Sequence, residues 1–316
     1  MARRKKGNPI HGWLVLDKPQ DITSTTAVNK IKRLLNAQKA GHAGTLDPLA
    51  TGILPIALGE ATKTVPYLMD SEKEYSFTVS WGVETNTDDQ EGEPTQTSQI
   101  RPKEQDIVEL LPRFTGKIDQ VPPKFSAIKL DGERAYKRAR DNEDFALKPR
   151  QVNIKQLRCL TTQQEHSSFA ITCGKGTYIR SLARDMGRIL GCYGHISQLR
   201  RTRVGPFAEK HTVTLEKILE KAKNISHSAP NQNTDFVQDL EHTLHLLPAQ
   251  AALDDIPAIT VAKPQAQRLK QGQSALITGQ NAPISEDLVY VLSEGKLIAI
   301  GKIEKGQVVP SRVFCI

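Results

Sequence analysis

At 316 residues the chain is long enough for one catalytic core and a small additional domain. Its 38% hydrophobic and 25% charged content is that of a folded globular protein. It holds no apolar run of bilayer-spanning length, and the basic start MARRKK lacks the apolar stretch a signal peptide needs, so a cytoplasmic protein is expected, with no membrane partner. The net charge of +8 favours polyanions, because each phosphate neutralised by Lys or Arg releases counterions, although a solvated basic surface would read the same.

Residues 1–9, with Arg3, Arg4, Lys5 and Lys6, read as a basic arm. GWLVLDKP is apolar enough for a strand and is stopped by Pro19. Ser24-Thr25-Thr26 then offers hydroxyl caps to a helix over AVNKIKRLLNAQ, where Val28, Ile31, Leu34 and Leu35 recur at helical spacing. EYSFTVSWGVET alternates like a strand and runs into the turn-rich TNTDDQEGEPTQ. A helix is expected at EQDIVELLPRF, a strand at SFAITCGKG, and a helix over YIRSLARDMGRILG closed by Gly191.

Between Lys124 and Arg150 eight basic residues stand against five acidic ones, and Arg188, Arg200, Arg201 and Arg203 form a further basic group. Several basic stretches that converge in the fold would suit a folded RNA. Past Lys223 the polar NISHSAPNQNTDFVQD reads as a linker or surface segment, spanning about residues 224–256. From residue 257 to 316, short alternating segments (AITV, SALITG, DLVYVLS, KLIAIGKI, VVPSRVF) separated by Gly, Asn and Pro point to a small β-barrel or sandwich. Cys159, Cys173, Cys192 and Cys315 are scattered without a C-x-x-C pair, which argues against a zinc site or a disulfide framework.

GHAGTLDPLATGILPIALGEATK is the least ordinary stretch. Pro48 biases Asp47 away from helical backbone, glycines permit close approach, and Ile53, Leu54, Ile56 and Leu58 anchor the segment to a core. A carboxylate held on such a loop is how a nucleophile or base is presented, yet Asp-Pro in a glycine-rich stretch is by itself more often a plain turn. Tyr75 suits a proton carrier or stacking face, but alone reads equally as a buried strand aromatic. Arg180, where strand gives way to helix, is placed to pair with a carboxylate; alone it reads as a surface ion pair.

Five segments in order decide between these readings: GWLVLDKPQDITS, GHAGTLDPLATGILPIALGEATK, KEYSFTVSWGVETNTDDQEG, VPPKFSAIKLDGERAYKRAR, and KGTYIRSLARDMG followed by HISQLRRTRVGPF. Together they resemble the TruB-type tRNA pseudouridine-55 synthases over about residues 10–215, and KLIAIGKIEKGQVVPSRVF resembles the PUA-like RNA-binding domain that often closes such chains. The resemblance implies an α+β fold: a catalytic core over 10–223 with a mixed, mainly antiparallel sheet flanked by helices, an RNA-binding insertion near 124–150, and a PUA-like barrel over 257–316. It also implies that Asp47 starts the conversion of uridine to pseudouridine, with Arg180 as its counter-ion. Tyr75 would stack on the flipped base and take the C5 proton, and His42 would fill or buttress the gap left by the extruded nucleotide. Lys18, Lys63, Asp89, Tyr178 and Leu199 match further positions near the pocket. No cofactor and no metal is expected, the partner is the T arm of tRNA, and the chain is expected to be a monomer. A guide-RNA-dependent, dyskerin-like enzyme and a non-catalytic RNA-binding or folding factor are the competing readings.

Overall fold

The computed structural model describes residues 7–130, 132–141, 143–228, 244–277 and 283–316, with the side chains of 222–228 left aside. Arg3, Arg4, Lys5 and Lys6 of the expected basic arm and residues 229–243 of the expected linker lie outside the described residues.

The strands in chain order are β1 (Gly12–Lys18), β2 (Ala40–His42), β3 (Thr51–Leu58), β4 (Lys73–Trp81), β5 (Val83–Thr85), β6 (Pro94–Thr97), β7 (Gly116–Gln120), β8 (Lys129–Leu130), β9 (Glu133–Arg134), β10 (Arg150–Thr162), β11 (His166–Cys173), β12 (Gly194–Val204), β13 (Phe207–Ala208) and β14 (Val213–Thr214). The C-terminal part adds β15 (Ala258–Thr260), β16 (Ala275–Leu276), β17 (Glu286–Ser293), β18 (Lys296–Glu304) and β19 (Gln307–Val313). The helices are α1 (Ser24–Leu34), α2 (Val65–Asp70), α3 (Glu104–Leu110), α4 (Ala135–Arg140), α5 (Ile179–Ile189), α6 (Leu215–Ser228) and α7 (Lys263–Lys270).

Ten strands form one sheet, in the order β14-β1-β3-β12-β4-β11-β10-β7, with β13 beside β12 and β2 beside β3. Only β1–β14 and β3–β12 pair in parallel, so the sheet is mixed and mainly antiparallel, as the resemblance implies. β1 and β3 are buried along nearly their whole length because they separate two cores. Leu14, Leu16, Leu54 and Ile56 face a core shared with α1 and α5, while Trp13, Val15, Ile53 and Ala57 face a second one. The period of two along a strand sends alternate residues to opposite faces, and here both faces are covered.

That second core also contains Leu297, Ile300 and Phe314, so the C-terminal unit packs on the back of the strands that flank the Asp47 loop. The unit itself is a curled, open five-stranded sheet, β15-β17-β18-β19-β16, with α7 against it; the expected barrel closes only half-way. Of the segment expected as a linker, residues 224–228 continue α6, and Leu247 exchanges backbone hydrogen bonds with Trp13 (2.7 and 2.9 Å). Ala249, Ala252 and Leu253 fill the shared core, so this described stretch is packed structure. The cap of α1 is Thr23, one residue before the expected hydroxyls: its Oγ1 accepts from the Thr26 amide at 3.0 Å. Ser24 is buried and binds the backbone of the loop between β2 and β3 instead.

Candidate active site

Asp47 lies on the loop between β2 and β3, and three buried side chains fix that loop from below. Ser24 donates to the Leu46 carbonyl (3.0 Å) and accepts from the Leu46 amide (2.8 Å), pinning the residue before Asp47. The Lys18 ammonium, fully buried, donates to the carbonyls of Pro19 (2.8 Å), Ile22 (2.9 Å) and Pro48 (3.1 Å), pinning the residue after it. Burial pushes the Lys18 pKa down to about 8, against the opposing pull of Asp47. Arg201, 1% exposed, donates to the carbonyls of Ile53 (2.7 Å), Gly44 (3.1 Å) and Thr45 (3.4 Å), gripping both arms of the loop. Gly52 has φ +95°, and a Cβ there would lie 2.3 Å from the Arg201 carbonyl oxygen, so only glycine lets β3 approach β12 this closely.

With its backbone held, the Asp47 carboxylate stays partly open and accepts from Arg180 Nε at 2.8 Å. Arg180 sits on the first turn of α5, where Tyr178 caps the helix; buried Gln120 holds the Tyr178 backbone by two hydrogen bonds (2.8 and 3.0 Å). The Arg180 guanidinium also donates to the carbonyls of Thr87 (2.8 Å) and Phe125 (3.0 Å), and lies 3.4 Å from an Asp89 oxygen. Burial opposes the Arg180 charge, but Asp47, Asp89 and Asp88 outweigh it and raise its pKa. The cation is therefore permanent, and it fixes the direction of the Asp47 carboxylate through one of its oxygens.

Tyr75 stands on β4 opposite Arg201 of β12 in the strand register, and the Arg201 charge partly offsets the effect of its burial. Burial raises its pKa, so the phenol is neutral at physiological pH and available as a proton carrier. Burial likewise raises the pKa of Tyr178 and lowers that of His42 at the end of β2. Leu199, buried on β12 opposite Phe77, contributes to the apolar wall under Tyr75.

The structure thus gathers Asp47, Arg180, Asp89, Lys18 and Tyr75 around one loop, with Tyr178, His42 and Leu199 on the elements beside it. Lys63 stands apart: it donates to Glu60 (2.5 Å) and to the Val313 carbonyl (2.6 Å) and lies over the Phe314 ring, at the junction with the C-terminal unit. The basic group at 188–203 is consumed internally, because Arg188 pairs with Glu84, Arg200 with Asp17 and Glu209, and Arg203 with Glu74, while Arg201 is buried. The bases of 124–150 remain on the surface; Lys124, Lys129, Arg134, Lys137, Lys148 and Arg150 are all exposed. Arg201, Ser24 and Gln120 escape sequence reasoning as site residues. For Arg201 a signal exists, since it shares the inward face of β12 with Leu199 in a strand otherwise alternating in and out. Among the described residues no group of His, Cys, Asp and Glu is arranged to hold a metal.

Asp47 thus sits on a loop between two strands of a long mixed sheet, clamped by an arginine from the first turn of α5. The chain is similar over its whole length to that of a Cbf5–Nop10–Gar1 complex, with a TM-score of 0.70, 26% identity and 90% of that chain covered. A chain of an H/ACA RNP bound to a substrate RNA containing 2′-deoxyuridine shares the fold at a TM-score of 0.71 and 24% identity, covering 100% of this chain and 92% of that one. The model described as "TruB family pseudouridylate synthase (N terminal domain)" matches residues 32–179. Residues 180–253 match "tRNA pseudouridylate synthase B C-terminal domain", and 257–314 match "Pseudouridine synthase II TruB, C-terminal". Tellingly, the boundary after residue 179 falls between Tyr178 and Arg180, yet α5 and β12 beyond it belong to the same sheet-and-helix core as Asp47. The tRNA pseudouridine synthase B of Brucella ovis is 51% identical over 326 residues, covering 99% of both chains. That of Rhizobium meliloti is 52% identical over 312 residues, covering 99% of this chain and 98% of its own. The chain belongs to the tRNA pseudouridine synthase B family.

Proposed function

We propose that this protein isomerises uridine to pseudouridine at position 55 in the T loop of tRNA, acting as a monomer in the cytoplasm without guide RNA or cofactor. The single observation that carries this reading is the Asp47–Arg180 pair at 2.8 Å, on a loop whose backbone is fixed on both sides of the carboxylate, in a chain of this family. The reaction breaks the C1′–N1 bond and rejoins C1′ to C5 of the same base, so the nucleotide has to leave its stack and enter a pocket. Asp47 starts the bond breakage, Arg180 pairs with it and aims it, and Tyr75 stacks on the base. As a neutral phenol Tyr75 relays the C5 proton, receiving it while its own hydroxyl proton passes to N1, which gains a hydrogen as C5 loses one. His42 fills the gap in the T loop; Lys18 and Leu199 shape the pocket floor, and Asp89 and Tyr178 its rim. Lys63 serves the same substrate from the junction with the C-terminal unit. The catalytic domain spans 10–223 and the PUA-like RNA-binding domain 257–316, with the exposed bases of 124–150 gripping the T-arm backbone.

The guide-dependent reading is disfavoured by the identity of about half with synthase B over the full chain, against 26% with the Cbf5 complex. Incubating the purified protein with a bare T-arm hairpin tests the proposal. Pseudouridine at the T-loop uridine is expected without added RNA or protein; conversion only after a guide RNA is added would overturn it.

A further inference from the structure

Arg180, Arg184 and Arg188 recur every four residues of α5, so their side chains climb one side of the helix. Each takes an acid from the short segment 84–89. Arg180 meets Asp89 as well as Asp47, Arg184 donates to Asp88 at 2.9 Å, and Arg188 grips both oxygens of Glu84 at 2.7 Å. The outermost rung is half open, with the Arg188 side chain 54% exposed over a buried Glu84. The innermost rung belongs to the reaction. The middle rung, Asp88 with Arg184, is buried on both sides and has no part in the chemistry described above.

The charge on this rung is also disfavoured by burial. Burial pushes the Asp88 carboxyl up to about 6, despite Arg184 and Arg180 beside it. A carboxyl raised in the fold stabilises it while protonated, and that contribution is lost as pH rises through about 6, so the ionised Asp88 weakens the fold at neutral pH. Its backbone is in the left-handed region at φ +63°, a second cost for a non-glycine residue. What this expense secures is adjacent. Thr87 and Asp89 on either side of it both hold Arg180, and Arg184 donates to the Val121 carbonyl, on the loop that presents the Phe125 carbonyl to Arg180. One rung therefore fastens to α5 both segments that hold the counter-ion.

We propose that the Asp88–Arg184 pair is a positioning element, which keeps Arg180 aimed at Asp47 by locking the 87–89 turn and the 121–125 loop to α5. The inference rests on the reading that Asp47 and Arg180 carry pseudouridine formation. It is tested by single-turnover conversion of a T-arm hairpin by the full-length protein, from pH 5 to 8.5, with thermal melting and hairpin affinity measured on the same samples. Asp88→Asn keeps the shape and an acceptor for Arg184 but never carries charge. At pH 7.5 it is expected to melt at or above the wild-type temperature and to bind the hairpin within about twofold, yet to convert it about tenfold more slowly, the scale of a small misplacement. The wild-type to variant ratio is expected to fall towards one as pH drops below about 6, where Asp88 is itself protonated. The groups facing Asp88 are Arg184, Arg180, Glu84 and Asp185, with Asp89 adjacent, and all of them remain in the variant. Arg184→Gln is expected to repeat the rate loss, and Arg184→Lys to restore part of it. An unchanged rate in Asp88→Asn, a ratio that ignores pH, or a rate loss matched by a loss of melting temperature would overturn the proposal. A wild-type protein that converts no uridine would overturn the functional reading itself, and this inference with it.

Discussion

Asp47 is usable because other residues carry the cost of holding it. Its neighbours Leu46 and Pro48 are each tied to a buried side chain, and Arg201 spends its fully buried charge on three backbone carbonyls of the same loop. Removing that guanidinium leaves buried acceptors without donors, at about 1–3 kcal/mol each. Arg201→Met is therefore expected to lose roughly 3 kcal/mol or more of stability in denaturant titration, with activity falling alongside. Lys18 predicts a different signature. Its pKa is lowered to about 8, so between about pH 8 and its ordinary value of 10.5 the unfolded chain binds more protons than the folded one. Stability from this group accordingly rises with pH in that window, as it does for buried Lys73, also lowered to about 8. Activity is expected to move the other way, because a deprotonated Lys18 has fewer donors with which to hold Pro48. Parallel melting and rate profiles from pH 7 to 10 check this: a rate that keeps rising above pH 9 would contradict it.

At the scale of elements, the decisive contact is the close approach of β3 to β12, which carries Arg201 under the Asp47 loop. Gly52→Ala places a methyl 2.3 Å from the Arg201 carbonyl on a backbone of φ +95°, and is expected to cost about 3 kcal/mol or more and to reduce the rate further than the melting temperature alone explains. Much of this level was legible in the sequence. The strand GWLVLDK, the helix YIRSLARDMGRI and the glycine-rich loop all follow from periodicity and turn chemistry, and five ordered motifs identified Asp47, Tyr75 and Arg180 together. Partner choice was not legible. The basic group 188–203 looked free to meet RNA, and Arg188, Arg200 and Arg203 instead pair with Glu84, Asp17, Glu209 and Glu74, of which only Glu209 is near in sequence. The spacing of Arg180, Arg184 and Arg188 was visible; that Asp89, Asp88 and Glu84 answer it depends on a hairpin folding back onto α5. Burial, likewise, turned Ser24 from an apparent helix cap into a brace for the loop.

For the whole molecule, the shared core beneath β1 and β3 couples the catalytic sheet to the C-terminal unit. Phe314 is fully buried there, and Cys315 N–H and Lys63 both reach Glu60, closing the junction. Phe314→Ala is expected to cost about 3–5 kcal/mol and to lower the single melting transition of the protein, which calorimetry checks. Two separated transitions in the wild type would show that the units do not share a core. The coupling places the C-terminal unit on the reverse side of the strands that flank the Asp47 loop. The most direct test of the account lies at Asp47 itself. Mass-spectrometric mapping of pseudouridine in tRNA treated with wild-type or Asp47→Asn protein, under single-turnover conditions, measures the step proposed for the carboxylate. The account predicts conversion of the T-loop uridine by the wild type and a rate lower by about a thousandfold or more in a folded, tRNA-binding Asp47→Asn protein; pseudouridine formed by that variant at a comparable rate would contradict it.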